Sequence, residues 1–65
     1  MINTNKLRGI IVEKGMTQGD VAAELGITAR TFYRKMDKGV FDSDEISQMI
    51  DLLDIQDPVA VFFYR

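Results

Sequence analysis

Apolar side chains recur along the chain at intervals of three and four residues, and no segment alternates strictly between apolar and polar positions. This period is typical of amphipathic helices rather than of strands. Helices are predicted over residues 3–14, 17–25, 28–38, 42–53 and 58–64. The pattern therefore predicts an all-α fold, a compact bundle of four to five helices that forms a single domain over residues 1–65.

Most of these predicted helices begin at a residue that can cap them. A side-chain oxygen at such a position accepts a hydrogen bond from an unpaired N–H group of the first turn. Gly26 and Gly39 follow two of the helices, where a residue in the left-handed conformation ends a helix. The capping positions are Thr17 with Asp20, Thr28, Asp42 with Glu45, and Asp57 before Pro58.

Residues 17–38 have the spacing of two short helices joined by a tight turn. The small side chain of Ala22 allows the second helix to cross the first closely, and Gly26 tolerates the left-handed turn. Phe32 and Met36, four residues apart, form the apolar side of the second helix. This arrangement is typical of a helix-turn-helix, a motif that reads duplex DNA.

The second of these helices carries basic residues opposite its apolar side. Arg30 and Arg34 are four residues apart, so they project together. Arginine donates two parallel hydrogen bonds to guanine O6 and N7. A pair of solvated surface arginines is the plainer interpretation, but the preceding turn favours base contacts. Lys35 falls near the apolar side, where its stem covers the core while its ammonium reaches solvent or phosphate.

These residues resemble the helix-turn-helix family of phage lambda-type repressors and Cro proteins, which includes small bacterial xenobiotic-response-element regulators. The resemblance runs from Lys6 to the helix that ends near Leu53. It implies that the third helix enters the major groove of double-stranded DNA. Two features depart from the family pattern: Lys35 replaces an aliphatic residue, and the chain is acidic. The matching residues are Thr17-Gln18, Ala22, Leu25-Gly26-Ile27-Thr28 and Phe32.

By position, the resemblance implies base contacts from Ala29, Arg30 and Arg34. It also implies phosphate contacts near the turn, where the free N–H groups of a helix start favour anions. For Tyr33, contact with the DNA backbone, contact with a thymine methyl group and packing on a neighbouring residue remain open. The predicted backbone contacts are Gln18, Thr28, Thr31, Tyr33 and Lys38.

The formal net charge of -2 hides an uneven distribution. Residues 1–39 hold seven basic and four acidic side chains, which gives +3, whereas residues 40–65 hold one and six, which gives -5. This separation predicts that a basic face of the protein contacts DNA phosphates and that an acidic face points away from them. The sequence pI of about 4.8 nevertheless predicts weak non-specific DNA binding that salt readily reduces.

An unbroken apolar run, residues 59–64, follows Pro58. A one-sided helix would bury Val59, Phe62 and Phe63 and leave Val61 and Tyr64 pointing elsewhere. One interpretation is that this run closes the core of the domain. The other is a homodimer, which matches the paired half-sites of the family. The predicted dimer interface consists of Val61, Phe62, Phe63 and Tyr64.

The absence of histidine and cysteine argues against an enzyme and against a disulfide. Asp51, Asp54 and Asp57 recur every three residues, but they lack the glycine and the spacing of a calcium loop. No metal, cofactor or small-molecule substrate is therefore predicted. The sequence has no long apolar run, so we expect neither a signal peptide nor a membrane span, and a cytoplasmic location.

Together these features predict a sequence-specific, double-stranded DNA-binding transcriptional regulator. We expect a phage or prophage repressor that acts as a homodimer. The alternative is a protein-interaction module, such as an adaptor or an antirepressor, that keeps the helix-turn-helix fold without reading DNA. The negative net charge and the apolar run at residues 59–64 favour this alternative.

Overall fold

Five helices and their short connections make up the computed structural model, which describes residues 2–63. No strand occurs in this range, so the all-helical prediction is confirmed. The Cα radius of gyration is 10.4 Å, close to the value of about 11 Å expected for a compact chain of this length. The helices are α1 (Thr4–Glu13), α2 (Gln18–Leu25), α3 (Ala29–Lys38), α4 (Ser43–Leu52) and α5 (Pro58–Phe62).

Helices α2 to α5 start directly after their predicted capping residues, and α2 and α3 end at the predicted glycines, whereas α5 ends at Phe62 and not at the predicted residue 64. The Thr17 hydroxyl accepts from the Asp20 N–H at 3.0 Å, and the Asp20 carboxylate accepts from the Thr17 N–H at 2.9 Å. Asp42 and Glu45 form the same reciprocal pair at the start of α4. The glycines after α2 and α3 have φ angles of 76° and 69°, so both predicted left-handed ends are confirmed. These local hydrogen bonds fix the register of each helix.

One apolar cluster forms the core between the helices. Phe32 is fully buried at its centre, and its ring centroid lies 5.3 Å from that of Phe41. Ala22 is 1% exposed, as expected for the small residue at the crossing of α2 and α3. The buried apolar residues are Ile2, Leu7, Ile11, Val21, Ala22, Phe32, Met36, Phe41, Met49, Leu53, Ile55, Val61 and Phe62.

Helix α5 closes this core, and the structure corrects the predicted dimer interface there. Val61 and Phe62 are 1% and 3% exposed, whereas Val59 and Phe63 are 65% and 60% exposed. The predicted burial is thus right for Phe62 and wrong for Val59, Val61 and Phe63. The Asn3 N–H donates to the Val61 carbonyl oxygen at 2.7 Å, which ties α5 to the start of α1. Val61 and Phe62 therefore fill the core and are not available to a partner. Tyr64 lies outside the described residues.

An ion pair joins α3 to the start of α4. Lys35 Nζ lies 2.7 Å from both carboxylate oxygens of Glu45, whose side chain is 8% exposed. Glu45 Oε1 also accepts from the Asp42 N–H at 3.0 Å, so one carboxylate both caps α4 and holds α3. Lys35 is half-buried, and its ammonium binds Glu45, whereas the sequence predicts that it reaches out to solvent or phosphate.

None of the helices described between residues 2 and 63 has the length and apolar character needed to cross a membrane.

We predict that Lys35→Met lowers the free energy of unfolding by about 1–2 kcal/mol, because it leaves the buried Glu45 carboxylate without its charged partner. The loss is smaller than for a fully buried pair because the Lys35 side chain is 28% exposed. Adding Glu45→Gln should restore most of the loss. Urea unfolding measures all three variants, with the exposed Lys38→Met as a control that changes by less than about 0.5 kcal/mol. Equal effects of Lys35→Met and Lys38→Met would contradict a structural role for the pair.

Phe62→Ala should lower the free energy of unfolding by about 3 kcal/mol, because it removes a buried aromatic side chain and leaves a cavity. The matched control is Val12→Ala, a truncation at a residue that is 73% exposed, with an expected change below about 0.5 kcal/mol. Denaturant unfolding at one low protein concentration measures both. An unchanged midpoint for Phe62→Ala would show that α5 does not close the core.

Candidate nucleic-acid interface

Helices α2 and α3 are joined by three residues, and each of these has a defined role. Gly26 adopts the left-handed conformation, and the Ile27 N–H donates to the Ala22 carbonyl oxygen at 3.0 Å. Ile27 packs against the core, and Thr28 caps α3. The connection therefore holds the start of α3 in one orientation against α2.

The two sides of α3 differ sharply in burial. Phe32 and Met36 are buried, while Arg30 and Arg34 are exposed. Within residues 2–63 neither arginine takes part in a hydrogen bond to another side chain or in an ion pair. Both guanidinium groups therefore stand on the outward face without a side-chain partner in the described part of the chain.

The two threonines at the start of α3 bind each other. The Thr28 hydroxyl oxygen accepts from the Thr31 N–H at 3.1 Å, and the two hydroxyl oxygens share a hydrogen bond at 3.0 Å. One hydroxyl proton is thus used between the two side chains, and the other is available to a phosphate.

The other predicted contact residues also lie on α2 and α3. Gln18 is half-buried at the first position of α2, and Ala29 is half-buried at the first position of α3. Tyr33 is 53% exposed, and Lys38 is exposed in the last turn of α3. The predicted base contacts therefore share one helix, and Gln18 stands at the N-terminus of the helix before it.

Charge on the outward side of α3 is lower than the sequence implies. Lys35 is neutralised by Glu45, a partner ten residues away that the sequence analysis assigned only to capping. In the sequence, a lysine near the apolar side of a predicted helix is the feature that indicates an acidic partner nearby. The outward charges that remain are Arg30, Arg34, Lys38 and the carboxylate of Asp37.

Other parts of the described chain offer little room for small-molecule chemistry. Between residues 2 and 63 no cluster of three or more potential ligand side chains is able to hold a metal ion. A surface cavity of about 270 Å³ lies between α1 and the α4–α5 connection, lined by Lys6, Lys14, Asp54 and Asp57 among others. It is smaller than the roughly 300–1,000 Å³ of most ligand pockets. The outward face of α3 is therefore the strongest candidate site.

Comparison with known proteins places the chain in a family without assigning an activity. Neither a curated protein nor a solved structure matches it significantly. The family described as "Protein of unknown function (DUF739)" matches residues 2–65, which is nearly the whole chain. The chain belongs to this family.

Proposed function

We propose that this protein is a sequence-specific, double-stranded DNA-binding transcriptional regulator, a phage or prophage repressor that places α3 in the major groove. One observation carries this proposal: Arg30 and Arg34 are exposed and unpaired within the described residues, on the side of α3 opposite its buried face. The major groove is about 12 Å wide, which admits an α-helix with its side chains.

The two arginines supply base readout, because a guanidinium group matches the two acceptors on the major-groove edge of guanine. Ala29, at the first position of α3, is small enough to let the helix start approach a base pair closely. Contacts to the DNA backbone orient α3 and carry no sequence information. They come from Gln18, Thr28, Thr31, Tyr33 and Lys38.

A single copy of the protein should bind DNA with low affinity. The net charge is -2, and Lys35 is paired with Glu45, so few cations remain to replace the counterions of the phosphates. A two-fold homodimer doubles the contacts and binds two half-sites. We assign its interface to the exposed face of α5, where Val59 and Phe63 lie four residues apart. The bound dimer then represses by denying the polymerase access to the same DNA.

The second candidate function is a protein-interaction module, and the exposed apolar pair Val59 and Phe63 favours it. An adaptor or an antirepressor would use this face for a different protein and would have no need for outward arginines on α3. Binding of such a partner should survive the double substitution of Arg30 and Arg34 by alanine. DNA binding should not survive it.

Arg34→Ala should reduce discrimination at one base pair by about 1–3 kcal/mol, because a bidentate contact to guanine is lost. Selection of bound duplexes from a random library at low salt, with wild type and variant in parallel, measures this effect. Wild type should enrich a two-fold symmetric motif that blurs at one position per half-site with Arg34→Ala. The control is Lys38→Ala, which should weaken all sequences about equally and reduce the salt slope by about one. An equal loss on all sequences from Arg34→Ala would remove that residue from base reading.

Phe63→Ser should abolish self-association, because it places a polar group in the apolar face of α5 without disturbing the buried Phe62. Sedimentation over a series of protein concentrations measures the mass of both proteins. Wild type should approach the mass of a dimer as concentration rises, while the variant stays a monomer. Arg34→Ala is the control and should associate like wild type. A monomeric wild type at all concentrations, alone and with selected DNA, would refute the homodimer.

A further inference from the structure

Asp37 lies on the same outward side of α3 as the arginines. It follows Arg30 by seven residues, which is about 20° short of two full turns of an α-helix, so the two side chains form one row along the axis. Their separation along that axis is about 10.5 Å at 1.5 Å per residue.

Among the described residues, Asp37 has no contact that stabilises the fold. It stands in the last turn of α3, where the partial negative charge of the helix end disfavours a carboxylate. The aspartates that do cap helices stand instead at helix starts. They are Asp20, Asp42 and Asp57. Asp37 is exposed, and within residues 2–63 its side chain forms no hydrogen bond or ion pair, including none with Arg34 three residues before it. Packing and capping thus leave this residue unexplained.

Among the base edges of the major groove, one offers a carboxylate a favourable hydrogen bond. An ionised carboxylate only accepts hydrogen bonds, and the surrounding phosphates repel it. The major-groove edges of guanine and thymine present only acceptors or a methyl group, whereas cytosine presents the N4 amino donor. Adenine presents a donor next to the acceptor N7, so it suits a carboxylate less well than cytosine does.

The geometry points to Asp37 as a specificity-determining residue that accepts a hydrogen bond from cytosine N4, at a base pair separate from the one contacted by Arg30. This inference rests on the proposed DNA-binding function and adds a second kind of base reading to it. The arginines select guanine by donating, and Asp37 selects cytosine by accepting. It also rejects guanine and thymine at that position by repulsion between acceptors.

The experiment compares wild type with Asp37→Asn in the same random-duplex selection. Binding titrations follow on duplexes that differ only at the base pair where Asp37 is proposed to select cytosine. Wild type should prefer cytosine there by about tenfold. Asp37→Asn should lose this preference and shift toward adenine, because an asparagine amide both donates and accepts. Asp37→Ala should lose the preference and gain no new one.

The matched control is Asp51→Asn. Asp51 is also exposed and is also the ninth residue of a ten-residue helix, so the substitution changes the net charge and the helix end in the same way on α4. It should leave the selected motif unchanged. Thermal unfolding of Asp37→Asn should match that of Asp51→Asn, which separates a change in base preference from a change in folding.

Two results would overturn the role of Asp37 while the proposed function stands. In the first, wild type enriches a motif and Asp37→Asn strengthens binding to all sequences equally, which makes the carboxylate a repulsive charge only. In the second, the motif of Asp37→Asn equals that of wild type at every position. If wild type enriches no motif at all, the proposed function fails and the role of Asp37 fails with it.

Discussion

The orientation of α3 depends on the burial of Phe32. This side chain is fully buried and packs on Phe41, which lies beyond the end of α3. Rotation of α3 about its axis would expose an aromatic ring, at a cost of about 2–3 kcal/mol for a side chain of this size. The outward positions of Arg30 and Arg34 follow from this constraint, because they lie on the opposite side of the same helix.

The Lys35–Glu45 pair adds a polar constraint to the apolar one. The Glu45 carboxylate accepts hydrogen bonds from both the Lys35 ammonium and the Asp42 N–H, so it connects the second half of α3 to the first turn of α4. A buried ion pair is weak evidence for stability, because desolvation offsets much of the attraction. Its geometry nevertheless determines which cation of α3 is withdrawn from the outward face. The charge available to a nucleic acid is therefore set partly by the packing of α4.

Helix ends and helix type were predictable from the sequence, because capping is local. Thr17 finds its partner three residues later, and a glycine after α2 or α3 is the residue that adopts a positive φ most easily. The partner of Lys35 and the burial of Val61 were not predictable in this way. The first depends on a residue ten positions away, and the second depends on the packing of α5 near the start of α1, at the other end of the chain. Both are set by tertiary packing, which hydrophobic period alone does not specify.

The use of α5 in the core also limits how strongly two copies can associate. With Val61 and Phe62 buried, the exposed apolar face of α5 is reduced to Val59 and Phe63 among the described residues. Two side chains cover far less than the roughly 800 Å² per partner of a stable interface. A dimer built on this face is therefore weak in solution. On DNA, however, two copies bound to adjacent half-sites are held close together, and a weak contact then contributes through a high effective concentration. If the proposed function holds, occupancy of paired half-sites would thus rise more steeply with protein concentration than occupancy of a single one.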